Sequence, residues 1–165
     1  MKILLISLYL FLQVSLLPVQ AKQNDNDTSQ GTSTAENNAW LKKKFSEQHQ
    51  NLIPVVAVAD MLYSCNKERK KEPVNYKLND LIINMDKNRL AEKLILCLDL
   101  DGMQSEIALN FGLLGCFHEQ LAHLSESERQ QKMALVRKAI LSLSRSERKK
   151  SFTQCVTQQA IHYLK

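Results

Sequence analysis

Two histidines near the middle of the chain are the first residues to suggest chemistry, because they resemble a zinc-binding motif. Residues 118–123 read HEQLAH, whereas the H-E-x-x-H motif places its histidines four residues apart on one helix face. The spacing of five between His118 and His123 rotates the second imidazole by about 140° around a helix axis. One regular helix cannot present both to one metal ion, and a mixed site with Cys116 would need a free thiol. We therefore predict no metal site here.

A pair of carboxylates, Asp99 and Asp101, precedes Gly102 and resembles the middle of a calcium-binding loop. If these residues held the third, fifth and sixth positions of an EF-hand, Cys97 would be first and Ala108 last. Both of those positions require carboxylates. The pattern is instead typical of a turn in which Asp101 or a neighbour caps the following helix.

Nucleophilic catalysis and phosphate binding lack their sequence signatures. The chain contains no G-x-S-x-G nucleophile elbow, and its four glycines are few for a loop that cradles phosphates. No set of residues predicts a catalytic centre or a cofactor site. We therefore expect a protein that is not an enzyme and binds no cofactor.

The N-terminus predicts export. Lys2 precedes an almost unbroken apolar run over residues 3–17, and Val19-Gln20-Ala21 resembles a small-x-small cleavage site, as in a secretory signal. The alternative is an uncleaved membrane anchor, which the interruptions at Gln13 and Ser15 disfavour. Residues 22–35 have no large apolar side chain and are expected to form a disordered tail. We predict a periplasmic or extracellular protein.

Four cysteines remain after the signal, and an oxidising compartment favours two disulfides. They occupy four different predicted helices, and they are Cys65, Cys97, Cys116 and Cys155. No C-x-x-C pair occurs, so redox and zinc-ribbon sites lack their signature. Three pairings are open, and we favour Cys65–Cys97 with Cys116–Cys155 because sequential helices tend to be neighbours.

Basic residues form three short clusters that are candidates for binding an anionic partner. The clusters are Lys42, Lys43 and Lys44; Lys67, Arg69, Lys70 and Lys71; and Arg145, Arg148, Lys149 and Lys150. The net charge of +5 becomes +4 without Lys2, which is too small and dispersed to indicate nucleic acid. The clusters are either solvated helix ends or, if folding brings two together, a site for anionic headgroups or an acidic protein.

The elements that must position these residues are predicted to be helices. The most apolar run outside the N-terminus, residues 107–124, is expected to be the buried central helix. Gly112 and Gly115 lie inside it and mark either a break or, as we favour, the close approach of a neighbouring helix.

Capping residues divide the rest of the chain into shorter helices. A first short helix is expected after Ser33 and a second from Pro54, since proline suits the first helical turn. Asp86 is a candidate cap, and Ser125 and Ser144 each begin an S-x-x-E capping box.

Together these patterns predict an all-α, compact, disulfide-stapled bundle of five to seven helices over residues 36–165. For function they predict a non-enzymatic binding protein that acts through protein–protein contact, as an inhibitor, an immunity protein or a secreted virulence factor would. Peripheral binding to anionic lipid headgroups through the basic clusters is one alternative, and carriage of a small hydrophobic ligand is another. The partner and the oligomeric state stay open.

Overall fold

The structure is a computed structural model that describes residues 30–164, with side chains from Glu36 onward. This part of the chain contains six helical elements and no β-strand. They are α1 (Gln30–Arg69), a π-helical turn (Asp80–Asn84), α2 (Lys87–Leu98), α3 (Glu106–Gln120), α4 (Glu126–Ser142) and α5 (Arg145–His162). The prediction of an all-α bundle of five to seven helices is thereby confirmed.

The described chain divides after Asn38 into two units, and the interactions below lie within the second, which begins at Ala39. The predicted signal sequence and residues 22–29 of the predicted tail lie outside the described residues. Residues 30–35 of that tail form the first turns of α1.

Helix α1 continues through Pro54, so the prediction of two helices meeting there was wrong. Proline lacks an N–H and leaves the carbonyl four residues earlier without its helical partner. Here Pro54 and Gln50 are both exposed, so water can satisfy that carbonyl. Beyond the proline, Val56 and Leu62 are at most 2 % exposed, and their packing holds the second half of the helix in place.

Helix α3 is the buried centre of the bundle, as predicted, but it ends at Gln120 and not at Leu124. The chain turns immediately afterwards, with hydrogen bonds from Ala122 N to Glu119 O and from Leu124 N to Leu121 O. This turn is needed because Ser125, the N-cap of α4, has extended backbone and cannot continue the helix of α3.

The two glycines inside α3 mark close helix approach, the interpretation favoured from the sequence. A Cβ atom at Gly115 would lie 2.7 Å from the Cα of Asp60 in α1, and one at Gly112 would lie 2.7 Å from Cε2 of Phe152 in α5. No substituted residue fits at such distances without a shift of its neighbours. Glycine therefore lets α1 and α5 pack directly on α3.

Helix caps follow the sequence pattern closely. Asp86 caps α2, and Ser125 and Ser144 form complete capping boxes at the starts of α4 and α5. Ser105, rather than Asp101, caps α3 by accepting from Ala108 N at 3.0 Å.

Two disulfides join the helices. Cys65–Cys97 links α1 to α2 and Cys116–Cys155 links α3 to α5, which are the two pairs that helix order favoured. All four cysteines are at most 4 % exposed, and the described residues include no free cysteine. Among the described helices, none is both long enough and apolar enough for a bilayer span.

Candidate functional site

The first basic cluster lies on a projecting part of α1 that we call the arm, residues 39–48. Every side chain of the arm is exposed. The bundle is reached at His49, whose Nε2 donates to the carbonyl oxygen of Thr157 at 2.9 Å. Lys42, Lys43 and Lys44 are therefore surrounded by solvent, apart from a long i,i+4 contact of 4.0 Å between Lys43 and Glu47.

One face of the arm is apolar although it is unburied. Trp40, Leu41 and Phe45 are 57, 55 and 54 % exposed. Their spacing places them on one side of the helix with Lys44, whose Nζ lies 6.0 Å from the centroid of the Trp40 ring. The arm thus combines a large apolar surface with three cations.

The second cluster is mostly engaged within the molecule. Arg69 donates to the carbonyl oxygens of Cys97 and Leu98 at 3.0 and 2.7 Å, and to Asp101 Oδ2 at 2.6 Å. It thereby satisfies carbonyls at the C-terminus of α2. Lys70 follows α1 with a positive φ of 53°.

The carboxylates Asp99 and Asp101 belong to this same structural role. Asp99 forms an ion pair with Lys71 at 3.1 Å, and Asp101 pairs with Arg69. Asp99 has a φ of 60° where the chain leaves α2. The predicted turn is confirmed, and both acidic side chains stabilise it.

Lys67, from the second cluster, contacts one of the two histidines of the HEQLAH segment. Lys67 Nζ donates to Nε2 of His118 at 2.9 Å, and the Tyr63 hydroxyl lies 3.0 Å from the same nitrogen. Burial, together with the positive charges of Lys67 and Arg129, lowers the pKa of His118 to about 4. The imidazole is therefore neutral near pH 7.

His123 lies in the turn after α3. Within residues 36–164, no three histidine, cysteine, aspartate or glutamate side chains come together as metal ligands.

The third cluster surrounds Glu106 at the start of α3. Arg145 Nε pairs with Glu106 Oε1 at 2.6 Å, and Arg148 pairs with Glu106 Oε2. Arg145 also donates to the carbonyl oxygen of Gln104 at 2.8 Å. Lys149 and Lys150 are exposed, and neither forms an ion pair with a described residue.

The second and third clusters both contact the loop over residues 99–105. Arg69 reaches that loop at Asp101, and Arg145 reaches it at Gln104. Folding therefore brings Arg69 and Arg145 to one loop. Both side chains are already paired with a carboxylate, Arg69 with Asp101 and Arg145 with Glu106 at the start of α3.

A cleft of about 860 Å³ opens between α1, the loop before α3 and the first turns of α5. Its apolar lining comes from four side chains, Met61, Met103, Leu109 and Phe152. Its polar rim comes from Gln104, Ser105, Ser144, Arg145, Ser146, Lys149 and Thr153. We refer to this feature as the cleft.

The core encloses a carboxylic acid at Asp60, the residue before Met61 of the cleft. Asp60 is fully buried, and its Oδ1 accepts from Gln159 Nε2 at 3.2 Å. Asp60 Oδ2 and Gln159 Oε1 have no hydrogen-bond partner among the described residues. Burial raises the pKa of Asp60 well above its usual value, and the charge of Glu119 adds to that effect. Burial therefore favours the protonated carboxylic acid of Asp60 over the charged carboxylate.

Sequence reasoning missed the cleft, the His118 cluster and the buried acid. The cleft is lined by three segments that are far apart in the sequence, around residues 61, 103–109 and 144–153, so no local pattern indicates it. The available sequence signal for the arm was the presence of three large apolar residues, Trp40, Leu41 and Phe45, beside the lysines of the first cluster.

Comparison of the chain with protein-family models, with curated proteins and with solved structures finds no match. The functional proposals therefore rest on the contacts, burial and charges described above.

Proposed function

We propose that this is an exported, non-enzymatic binding protein whose arm docks onto another protein. The observation that carries the proposal is the exposure of Trp40, Leu41 and Phe45 on one face of a helix that projects from the bundle. Exposed apolar patches rimmed by polar residues mark interaction surfaces. An amphipathic helix whose apolar face fills a groove is a common mode of protein recognition.

The residue types on this face suit a protein interface. Tryptophan is enriched among the residues that dominate binding energy, because it buries a large rigid surface. Leu41 lies beside Trp40, and Phe45 extends the apolar surface by a further helical turn. The proposed partner therefore offers an apolar groove that accepts these three side chains.

The charges of the arm add a second requirement for the partner. Lys42, Lys43 and Lys44 contribute three positive charges, and Glu47 is the acidic residue that approaches them. An acidic rim around the groove would complement this charge and speed association at low salt. An inhibitor, an immunity protein or a secreted virulence factor would act by such contact.

Headgroup binding through all three basic clusters is less well supported. Arg69, Arg145 and Arg148 are committed to ion pairs inside the molecule. Their release would leave Asp101 and Glu106 unpaired, which offsets what headgroups would contribute.

Two disulfides fit an oxidising compartment. We propose the periplasm or the extracellular space as the place of action.

Site-specific photo-crosslinking tests this proposal. A photoreactive amino acid at Leu41 should form one discrete protein adduct in the exported fraction of the source cells. The same amino acid at exposed Gln131 of α4 is the control position and should not form it. The adduct should disappear with Trp40→Ala and weaken with Lys42→Glu, and it should decrease as salt increases.

The contrary results are equally specific. Identical adducts from both positions, or an adduct indifferent to Trp40→Ala, would reject the arm as the docking face. Salt-sensitive binding to anionic vesicles without any protein adduct would instead favour the lipid alternative.

A further inference from the structure

We propose that the cleft is a binding site for a single-chain amphiphile with an anionic head, of which a long-chain fatty acid is the simplest example. This site is separate from the arm, and the proposal does not depend on the arm's function. Three observations carry it: the volume of the cleft, its apolar floor and the cations on its rim.

The volume and the floor fit an aliphatic chain. A volume of about 860 Å³ lies within the range of roughly 300–1,000 Å³ that small-molecule sites occupy. Phe152 forms the buried base and is 6 % exposed, whereas Met103 at the mouth is 47 % exposed. Met61 and Met103 are flexible and polarizable, so they can adapt to chains of different shape.

The rim is positively charged beyond what internal ion pairs neutralise. Arg145 and Arg148 share one carboxylate, Glu106. A second carboxylate, that of Glu147, accepts from Ser144 at the rim, so the three cations of the rim exceed its carboxylates by one positive charge. Lys149 also lines the cleft and pairs with no described acidic residue. A ligand anion beside Lys149 and Arg145 would balance that excess.

Helices α3 and α5 both begin at the rim, at their caps Ser105 and Ser144. N–H groups of both helix starts already donate to these cap hydroxyls, and the start of α5 also carries the Glu147 carboxylate. The preference for an anion therefore comes from the side-chain cations of the rim. A neutral amphiphile would fill the floor equally well but would leave the cationic rim unused, so the geometry favours a charged head over a neutral one.

Calorimetric titration of the mature protein with oleate, below its micelle concentration, tests the site. Oleyl alcohol has the same chain without the charge and should bind at least tenfold more weakly. Lys149→Glu should weaken oleate binding by about tenfold, whereas Lys150→Glu makes the same charge change on the adjacent exposed residue and should not. Thr153→Trp should fill the cleft and abolish binding, whereas Gln154→Trp should retain it.

Each contrary outcome rejects a defined part of the proposal. If native mass spectrometry and calorimetry both show no oleate bound, the cleft is not an amphiphile site. Equal binding by Thr153→Trp and Gln154→Trp would place the ligand elsewhere. Equal affinity for oleate and oleyl alcohol would remove the role of the cationic rim. Circular dichroism of all four variants establishes that each is folded.

Discussion

Replacing Asp60 with asparagine should make the protein more stable at neutral pH and remove one source of its pH dependence. Asp60 is fully buried, and Gln159 Nε2 is the donor that reaches its Oδ1. An asparagine keeps that acceptor and adds an N–H₂ group in place of the partnerless Oδ2. The variant therefore offers a donor to Gln159 Oε1, which also lacks a partner among the described residues, without burying a charge.

The sign and size of the effect follow from proton linkage. The unfolded chain has the ordinary pKa of 3.8, and burial raises the pKa of Asp60 in the folded state. The protonated acid therefore contributes stability that is fully present below pH 3.8 and is lost as the pH rises through the raised pKa. Between the two values the free energy of unfolding falls by about 1.4 kcal/mol for each pH unit.

Urea denaturation at several pH values between 4 and 7 measures this difference. The gap in unfolding free energy between Asp60→Asn and the unchanged protein should widen as the pH rises above 3.8 and should level off above the raised pKa of Asp60. Asp80→Asn, at an exposed position, is the control and should show no such widening. A gap that stays constant with pH, or a variant that is less stable throughout, would refute the assignment of a protonated Asp60.

Further measurements test the helix packing, the caps and the half-buried imidazole of His118. Gly115→Ala should lower the free energy of unfolding by about 1–3 kcal/mol because the added Cβ would meet the backbone of Asp60. A Cβ at Gly102 would have nothing within 4 Å, so Gly102→Ala is the control and should be nearly neutral. Urea denaturation compares the two variants. Ser125→Ala should cost about 1 kcal/mol in the same assay by removing the cap of α4. An NMR titration of His118 should give a pKa of about 4. The neutral imidazole therefore contributes stability that is fully present above 6.5, the pKa of the unfolded chain, and is lost as the pH falls towards 4. A measured pKa near 6.5 would contradict the half-buried placement of this imidazole.

Local signals in the sequence predicted the features that depend on neighbouring residues. The capping boxes at Ser125 and Ser144 are complete within four residues, so the pattern alone sufficed to place the starts of α4 and α5. The inward positions of the cysteines follow helical periodicity in the same way. Their pairing follows the order of the cysteine-bearing helices along the chain, although α4 lies between α3 and α5, which the second disulfide joins.

Features that depend on distant residues were not predictable in this way. Asp60 and Gln159 are separated by 99 residues and meet only because α1 and α5 both pack on α3. The continuity of α1 through Pro54 depends on packing farther along the helix, which overrides the local preference for a helix start. Arg69 and Arg145 looked available for a partner because the carboxylates that neutralise them come from other segments.

The contact that buries Asp60 also builds the cleft. Gly115 allows α1 to approach α3 at Asp60, and the next residue of α1, Met61, lines the cleft opposite Leu109 of α3. A larger residue at Gly115 must push these helices apart, which would change the spacing of the apolar floor as well as the stability of the core. Oleate affinity and unfolding free energy should therefore fall together in Gly115→Ala. In Lys149→Glu, affinity alone should fall, because that side chain lies on the rim and makes no contact that holds the helices together.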